Sequence, residues 1–282
     1  MKGVRAVFKW LAVGAMSLTM ISCGGAGGGG TEQVALLYFL HNGEVFRLDI
    51  NDRELSIIYA DSGLGHIRVN EAGTYLTCIG MGLTIVNTET LEAASFQNYR
   101  LADWMPQQDV LVAYSDITKQ IDLISQNGTM ITSQFYKPAG NNQIISIDVS
   151  PLGDKILLTE SGSSGIQWVT IDIDGTSRTE VAPGLDKTEP NPRWNRDATK
   201  IVYSYQLELY TIDADGTNIQ KLTSSDVYES QGAFRKDGSI VVTAWQTTHQ
   251  RYGLFTVPAT GGTPQVLFDS PGMDSHPEIF EP

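Results

Sequence analysis

The segments Val169–Val181, VTIDIDGTSRTEV, and Tyr210–Leu222, YTIDADGTNIQKL, are near copies: each sets Asp-x-Asp-Gly-Thr after an alternating run that ends in Ile-Asp. Alternating aspartates suit a calcium loop, but such a loop needs further oxygen ligands and a downstream carboxylate. Here the downstream positions are Arg178 and Thr179 in one copy, and Gln220 and Lys221 in the other. The pairs Asp174-Gly175 and Asp215-Gly216 fall where other stretches carry Asn127-Gly128 and Gly261-Gly262. All of these residues tolerate the positive φ of a tight hairpin turn. The motif therefore reads as a turn, and a recurring turn implies a recurring unit.

Working outward, each unit has an apolar anchor just before a polar turn. The anchor is Val149 in SIDVSPLGDKILLTE, Trp194 in NPRWNRDATKIVYSY and Phe234 in QGAFRKDGSIVVTAW. Weaker copies stand at Val69, Trp104 and Ile279. Successive anchors are 35, 45, 45, 40 and 45 residues apart, the period of a propeller blade. After each anchor come a turn, a strand such as KILLTE or KIVYSY, a second strand such as LELYTID, the Gly turn, and a short closing strand. These runs are rich in Val, Ile, Tyr and Thr, and no stretch of twelve residues sustains a helical stripe.

The ends complement each other. The first part offers three strands, VALLYFL, EVFRLDI and ELSIIYA, with no anchor strand before them, and the last part offers an anchor strand, SHPEIF, with none after it. The expectation is an all-β, six-bladed β-propeller over 34–282, built of four-stranded antiparallel blades. Its ring is closed by N-terminal strands plus the C-terminal strand, which leaves only short, protected edges. Trp104 and Trp194 are then blade-packing residues, and Trp168 and Trp245 fall on later strands.

Residues 1–23 read as a secretory signal: basic Lys2, Arg5 and Lys9, an apolar centre from Trp10 to Ile21, and small Ser22 before Cys23. The apolar run is too short for a spanning helix. The ending MISC resembles the lipobox of bacterial lipoproteins, which implies lipidation at Cys23. The Gly-rich stretch that follows, 24–33, has the composition of a tether. Cys78 is then the one cysteine left, so no intrachain disulfide is expected, and its place in the alternating run YLTCIG suits a buried, inert thiol.

The chain carries 19 basic and 32 acidic residues, a net charge of −13. Losing Lys2, Arg5 and Lys9 with the leader leaves 16 basic residues against the same acids, about −16. That balance argues against nucleic acid or an anionic membrane surface as a partner and suits solubility or cationic ligands.

The units DVSPLGDKILLTES…VTIDIDGTSRTEV and PNPRWNRDATKIVYSY…LYTIDADGTNIQKLT resemble the WD40-like repeats of TolB-type propellers, tightly in the second half of the chain and loosely before it. TolB carries an α/β domain before its propeller, for which there is no room between Gly30 and Val34, so its role in the Tol–Pal system is not implied whole. Similar propellers front prolyl oligopeptidase-type proteases, yet no Gly-x-Ser-x-Gly elbow, His-Glu-x-x-His, phosphate loop or Cys-x-x-Cys occurs here. No catalytic residue, metal or cofactor is expected.

Loops leading into innermost strands converge on one mouth of a propeller's channel. Three residues before the anchors stand His66, Leu101, Ser146, Asn191, Gln231 and His276; five before stand Leu64, Tyr99, Ile144, Glu189, Glu229 and Asp274. From these, His66, Glu189, Asn191, Glu229, Gln231, Asp274 and His276 are the candidate binding residues at the mouth. The leading expectation is a lipid-anchored, non-enzymatic binding module of the periplasm or cell surface, monomeric and facing an envelope protein partner. Some related propellers are sugar lyases holding a metal with His and Gln, so His66, Gln231 and His276 imply the alternative of a metal-dependent enzyme. A third is a small-ligand sensor.

Overall fold

The alternating runs become strands, and the strands gather in fours. The computed structural model describes residues 35–282 apart from 62, 186, 188–190, 225–228 and 247–249, and apart from the side chains of Glu229, Gln231 and Gln246. The leader, Cys23 and the tether therefore lie outside the described residues.

Blade one holds β1 (Leu36–His41), β2 (Glu44–Asp49) and β3 (Leu55–Tyr59). Blade two runs β4 (His66–Val69), β5 (Tyr75–Ile79), β6 (Leu83–Asn87) and β7 (Ala93–Phe96). Blade three runs β8 (Leu101–Trp104), β9 (Val110–Ser115), β10 (Gln120–Ser125) and β11 (Met130–Tyr136). Blade four runs β12 (Gln143–Val149), β13 (Lys155–Gly162), β14 (Gly165–Asp172) and β15 (Thr179–Val181). Blade five runs β16 (Arg193–Trp194), β17 (Lys200–Tyr205), β18 (Glu208–Asp213) and β19 (Gln220–Lys221). Blade six runs β20 (Glu229–Phe234), β21 (Ile240–Gln246), β22 (Arg251–Val257) and β23 (Gln265–Phe268).

The last strand, β24 (Asp274–Phe280), completes blade one by pairing antiparallel with β1, Leu36 opposite Phe280 and Leu37 opposite Ile279. All six sheets are four-stranded and antiparallel, so the expected six-bladed ring with its shared terminal blade is the fold observed. The innermost strands β24, β4, β8, β12, β16 and β20 all run the same way. Their first residues lie on one face, here the lead-in face, and their anchors end on the other, the anchor face.

The core sits between blades rather than inside one. Ile79, Leu83 and Ile85 of blade two pack on Trp104, Leu111 and Ala113 of blade three. Trp168 and Val181 of blade four meet Trp194, Ile201 and Tyr203 of blade five. At the closure, Leu37 and Phe39 of blade one pack on Val241 and Leu254 of blade six. Each such fully buried side chain contributes about 1.5–3 kcal/mol by leaving water, so the ring depends on having no open seam. Cys78 lies in the cluster between blades one and two, and burial pushes its thiol up to about 12.

The recurring turn now has a physical reason. Gly175 and Gly216 both sit at φ +84°, and Gly128 and Gly261 at +78° and +80°. Asp174 Oδ1 accepts from the backbone N and Oγ1 of Thr176 at 2.9 and 2.5 Å, and Asp215 repeats this with Thr217 at 2.9 and 2.7 Å. The preceding Asp172 and Asp213 are engaged by Lys155 and Lys200 at 2.8 and 2.5 Å. These carboxylates build the hairpin. Each turn also abuts the previous blade: a Cβ on Gly216 would lie 2.5 Å from the backbone N of Ala182, and one on Gly261 2.5 Å from the carbonyl O of Leu222.

Gly216→Ala is thus expected to cost about 2 kcal/mol from strain and collision together. Gly165→Ala, at φ +90° with nothing within 4 Å of the added Cβ, carries strain alone and should cost less. Urea unfolding of the two variants checks this, and equal costs would remove the role of the turn as a contact between blades.

Candidate functional site: the channel and its two mouths

In each innermost strand the residue just before the anchor faces the axis. Around the ring these are Glu278, Arg68, Asp103, Asp148, Arg193 and Ala233. Five of the six are charged, and they close the channel. Arg68 Nη1 donates to Glu278 Oε1 at 2.8 Å. Arg193 Nη1 reaches past small Ala233 to the same Glu278 Oε1 at 2.5 Å, while its Nε donates to Asp148 Oδ1 at 2.6 Å. Asp103 accepts from the backbone N of Val149 at 2.7 Å and of Trp104 at 2.9 Å, with Arg68 Nε 3.8 Å away. Asp148 accepts likewise from the backbone N of Trp194 at 2.6 Å.

Burial sets the charge states. Desolvation lifts the carboxyl of Asp103 to about 7 against the pull of Arg68, with nearby Asp148 adding to the rise. Asp148 is also raised by burial, with Arg193 and Arg68 opposing. For Arg193 burial works against the charge, but Glu278 and Asp148 outweigh it and hold the guanidinium protonated more firmly than usual. Ion pairs at this depth are costly to break because the partner left behind cannot regain water.

On the anchor face the ring is the floor of a funnel of about 270 Å³. Its walls include Trp104, Trp194, Phe234 and Phe280, and Glu71 and Arg196 stand on its lining. On the lead-in face the described side chains among the residues three before the anchors lie in two adjoining crevices. His66, Asn191 and His276 line one crevice with Arg68 and Arg193, and Leu101 and Ser146 line its neighbour, but each holds only about 10 Å³. The His66 and His276 rings meet edge to face, centroids 4.6 Å apart. Burial and the charges of Arg68 and Arg193 hold His66 down to about 3. Burial, His66 and Arg68 hold His276 down to about 2. Both imidazoles are neutral, in a crevice whose charges are cationic.

The set five before the anchors does not form a second ring. Asp274 is wholly buried: Oδ1 accepts from His41 Nδ1 at 2.7 Å and from Ser270 Oγ at 2.9 Å, clasping β24 to β1. The register of that pair shifts between Tyr38 and Leu40, and His276 has φ +52°, so the inward alternation from Glu278 is broken before Asp274. Tyr99 and Ile144 are buried between blades for the same want of a channel-facing position. Glu189 lies outside the described residues, as do the side chains of Glu229 and Gln231. Among the described residues, no group of three or more His, Cys, Asp or Glu is placed to hold one metal ion. Missed from the sequence were the funnel and its floor, although counting one residue back from each anchor exposes the ring.

No family model matches the sequence, and no curated protein matches it. Solved structures do. TolB from Acinetobacter baumannii superposes with a TM-score of 0.65 at 12% identity, over 87% of this chain and 66% of that one. The chain thus spans just under two thirds of that protein. The putative TolB from Agrobacterium tumefaciens gives 0.62 at 14%, over 86% and 91%. A chain of a nidogen/laminin complex gives 0.70 at 11%, over 87% and 98%. An oligogalacturonate lyase from Vibrio parahaemolyticus gives 0.53 at 15%, over 74% and 70%. At such identities the likeness is one of fold alone: the chain is a six-bladed β-propeller, similar in fold to TolB proteins.

Proposed function

We propose that the protein is a lipid-anchored, non-enzymatic binding module of the bacterial cell envelope, taking a segment of a protein partner at its anchor-face funnel. The observation that carries this reading is the plugged channel: paired charges close its middle, so a ligand docks on a face and does not pass through. The TolB and nidogen/laminin likenesses support a propeller that presents a face to another protein.

The paired imidazoles of His66 and His276, together with the lyase likeness, favour a second reading as a metal-dependent enzyme. It ranks below the first because Arg68 and Arg193 in the same crevice oppose a dication.

Crosslinking in intact envelopes tests the proposal. The wild type should take up an alkynyl fatty acid and capture a reproducible partner. Cys23→Ser should lose both lipid and membrane association. Arg196→Glu, on the funnel lining, should reduce capture. No reproducible partner, or capture indifferent to Arg196→Glu while a stoichiometric metal copurifies, would reverse the ranking.

A further inference from the structure

The floor of the funnel is out of balance. Three carboxylates, Asp103, Asp148 and Glu278, line it with Arg193 and Ala233, while the second guanidinium of the ring, Arg68, lines the lead-in crevices and reaches Glu278 and Asp103 from that side. Glu278 and Asp148 each have a guanidinium nitrogen within 2.8 Å. Among the described residues Asp103 has none nearer than 3.8 Å, and it accepts from two backbone N–H groups. In a six-bladed ring the third and sixth blades are opposite, so the underpaired carboxylate faces the alanine across the axis. The space between them opens into the 270 Å³ funnel, whose aromatic walls suit a cation on a long apolar stem.

One wall adds a second requirement. Trp104 donates its indole N–H to the carbonyl of Arg68 at 3.2 Å. The equivalent Nε1 of Trp194, a residue only 6% exposed that lines the funnel, has no acceptor among the described residues. A buried donor without a partner costs about 1–3 kcal/mol, so a shift of this sealed indole that opens its N–H to a peptide carbonyl at the funnel wall would be repaid.

We propose that the funnel is a receptor for a single basic side chain: the ammonium or guanidinium of a Lys or Arg on the partner protein enters on the funnel side of the Arg193–Glu278 pair that spans Ala233 and supplies the missing positive charge for Asp103. This rests on the binding-module reading and names the chemistry its partner must present. The cation then sees Asp103, Asp148 and Glu278 as attractive groups, and Arg68 and Arg193 as repulsive ones already neutralised by pairing. Because the carboxyl of Asp103 is lifted to about 7, a bound cation displaces its proton, and affinity should rise as pH rises through that value.

The test titrates the purified protein with N-acetyl-lysine methylamide, N-acetyl-norleucine methylamide and n-butylammonium, following the indole N–H signals of Trp104 and Trp194 by NMR. The lysine probe should bind about tenfold more tightly than the norleucine probe, the equivalent of about 1.4 kcal/mol, and Asp103→Asn should abolish that margin. Ala233→Lys, which supplies the cation within the chain, should abolish binding and melt about 2–4 °C above Ala233→Leu. Equal binding of lysine and norleucine probes, or lysine binding unchanged in both Asp103→Asn and Ala233→Lys, would overturn the proposal. Butylammonium binding as tightly as the lysine probe would overturn its peptide-borne part. A partner captured equally by wild type and Ala233→Lys sinks this inference but leaves the binding module standing; lysine binding with no captured partner does the reverse.

Discussion

Replacing Arg193 with methionine is expected to remove about 3–5 kcal/mol of folding stability, because it strands the buried carboxylates of Asp148 and, in part, Glu278. At roughly 2–4 °C per kcal/mol for a domain of this size, the melting temperature should fall by about 6–20 °C. The size of the effect follows from where the side chain sits. Its Nε holds Asp148 of blade four at 2.6 Å, and its Nη1 holds Glu278 on the C-terminal strand at 2.5 Å. One guanidinium thus ties blades four and five to the strand that closes the ring. Arg193→Lys keeps a charge but cannot bridge both carboxylates with fixed geometry, so it should retain about half of the loss. The deficit of Arg193→Met should narrow as pH falls from 7 toward 4, since protonating the stranded carboxyls removes their charge. A deficit below about 1 kcal/mol, or one that does not change with pH, would show that the network only fills the channel and does not brace the ring.

The second large effect lies in acid. In the unfolded chain His66 and His276 bind protons near 6.5, but in the folded protein they are held down to about 3 and about 2. Between those limits the unfolded state carries more protons than the folded one. Stability therefore falls as pH falls below about 6.5, by about 1.4 kcal/mol per pH unit for each imidazole. Asp103 works in the opposite sense. Its folded value of about 7 lies above the unfolded value of 3.8, so it loses stability as pH rises through that window. The two contributions partly offset, and the difference between proteins is the useful quantity. A His66→Gln/His276→Asn double variant, with Asn chosen because His276 has φ +52° and Asn tolerates that region, should lose the imidazole slope. Its acid midpoint should then lie below that of the wild type. Urea unfolding from pH 7 to 4 reads this directly, and parallel curves for the two proteins would mean that the imidazoles are not kept neutral.

The repeat itself was legible because its signals are local. Val149, Trp194 and Phe234 each precede a turn that any four residues can encode, and Asp174-Gly175 and Asp215-Gly216 specify positive φ without reference to the rest of the chain. From these alone came the number of blades, the sharing of blade one between the termini, and the burial of Trp104, Trp194 and Cys78. Phase also brought His66, Asn191 and His276 to one mouth. Tertiary structure decided which mouth is open and which charges meet. Arg68 finds Glu278 across 210 residues of sequence, and Arg193 finds it across 85 by passing Ala233. No local pattern encodes such pairs, because they depend on side-chain reach across a channel whose width is set by packing between blades. Asp274 turned from the mouth to His41 for a similar reason: a register shift against β1 reversed the alternation on which its placement depended.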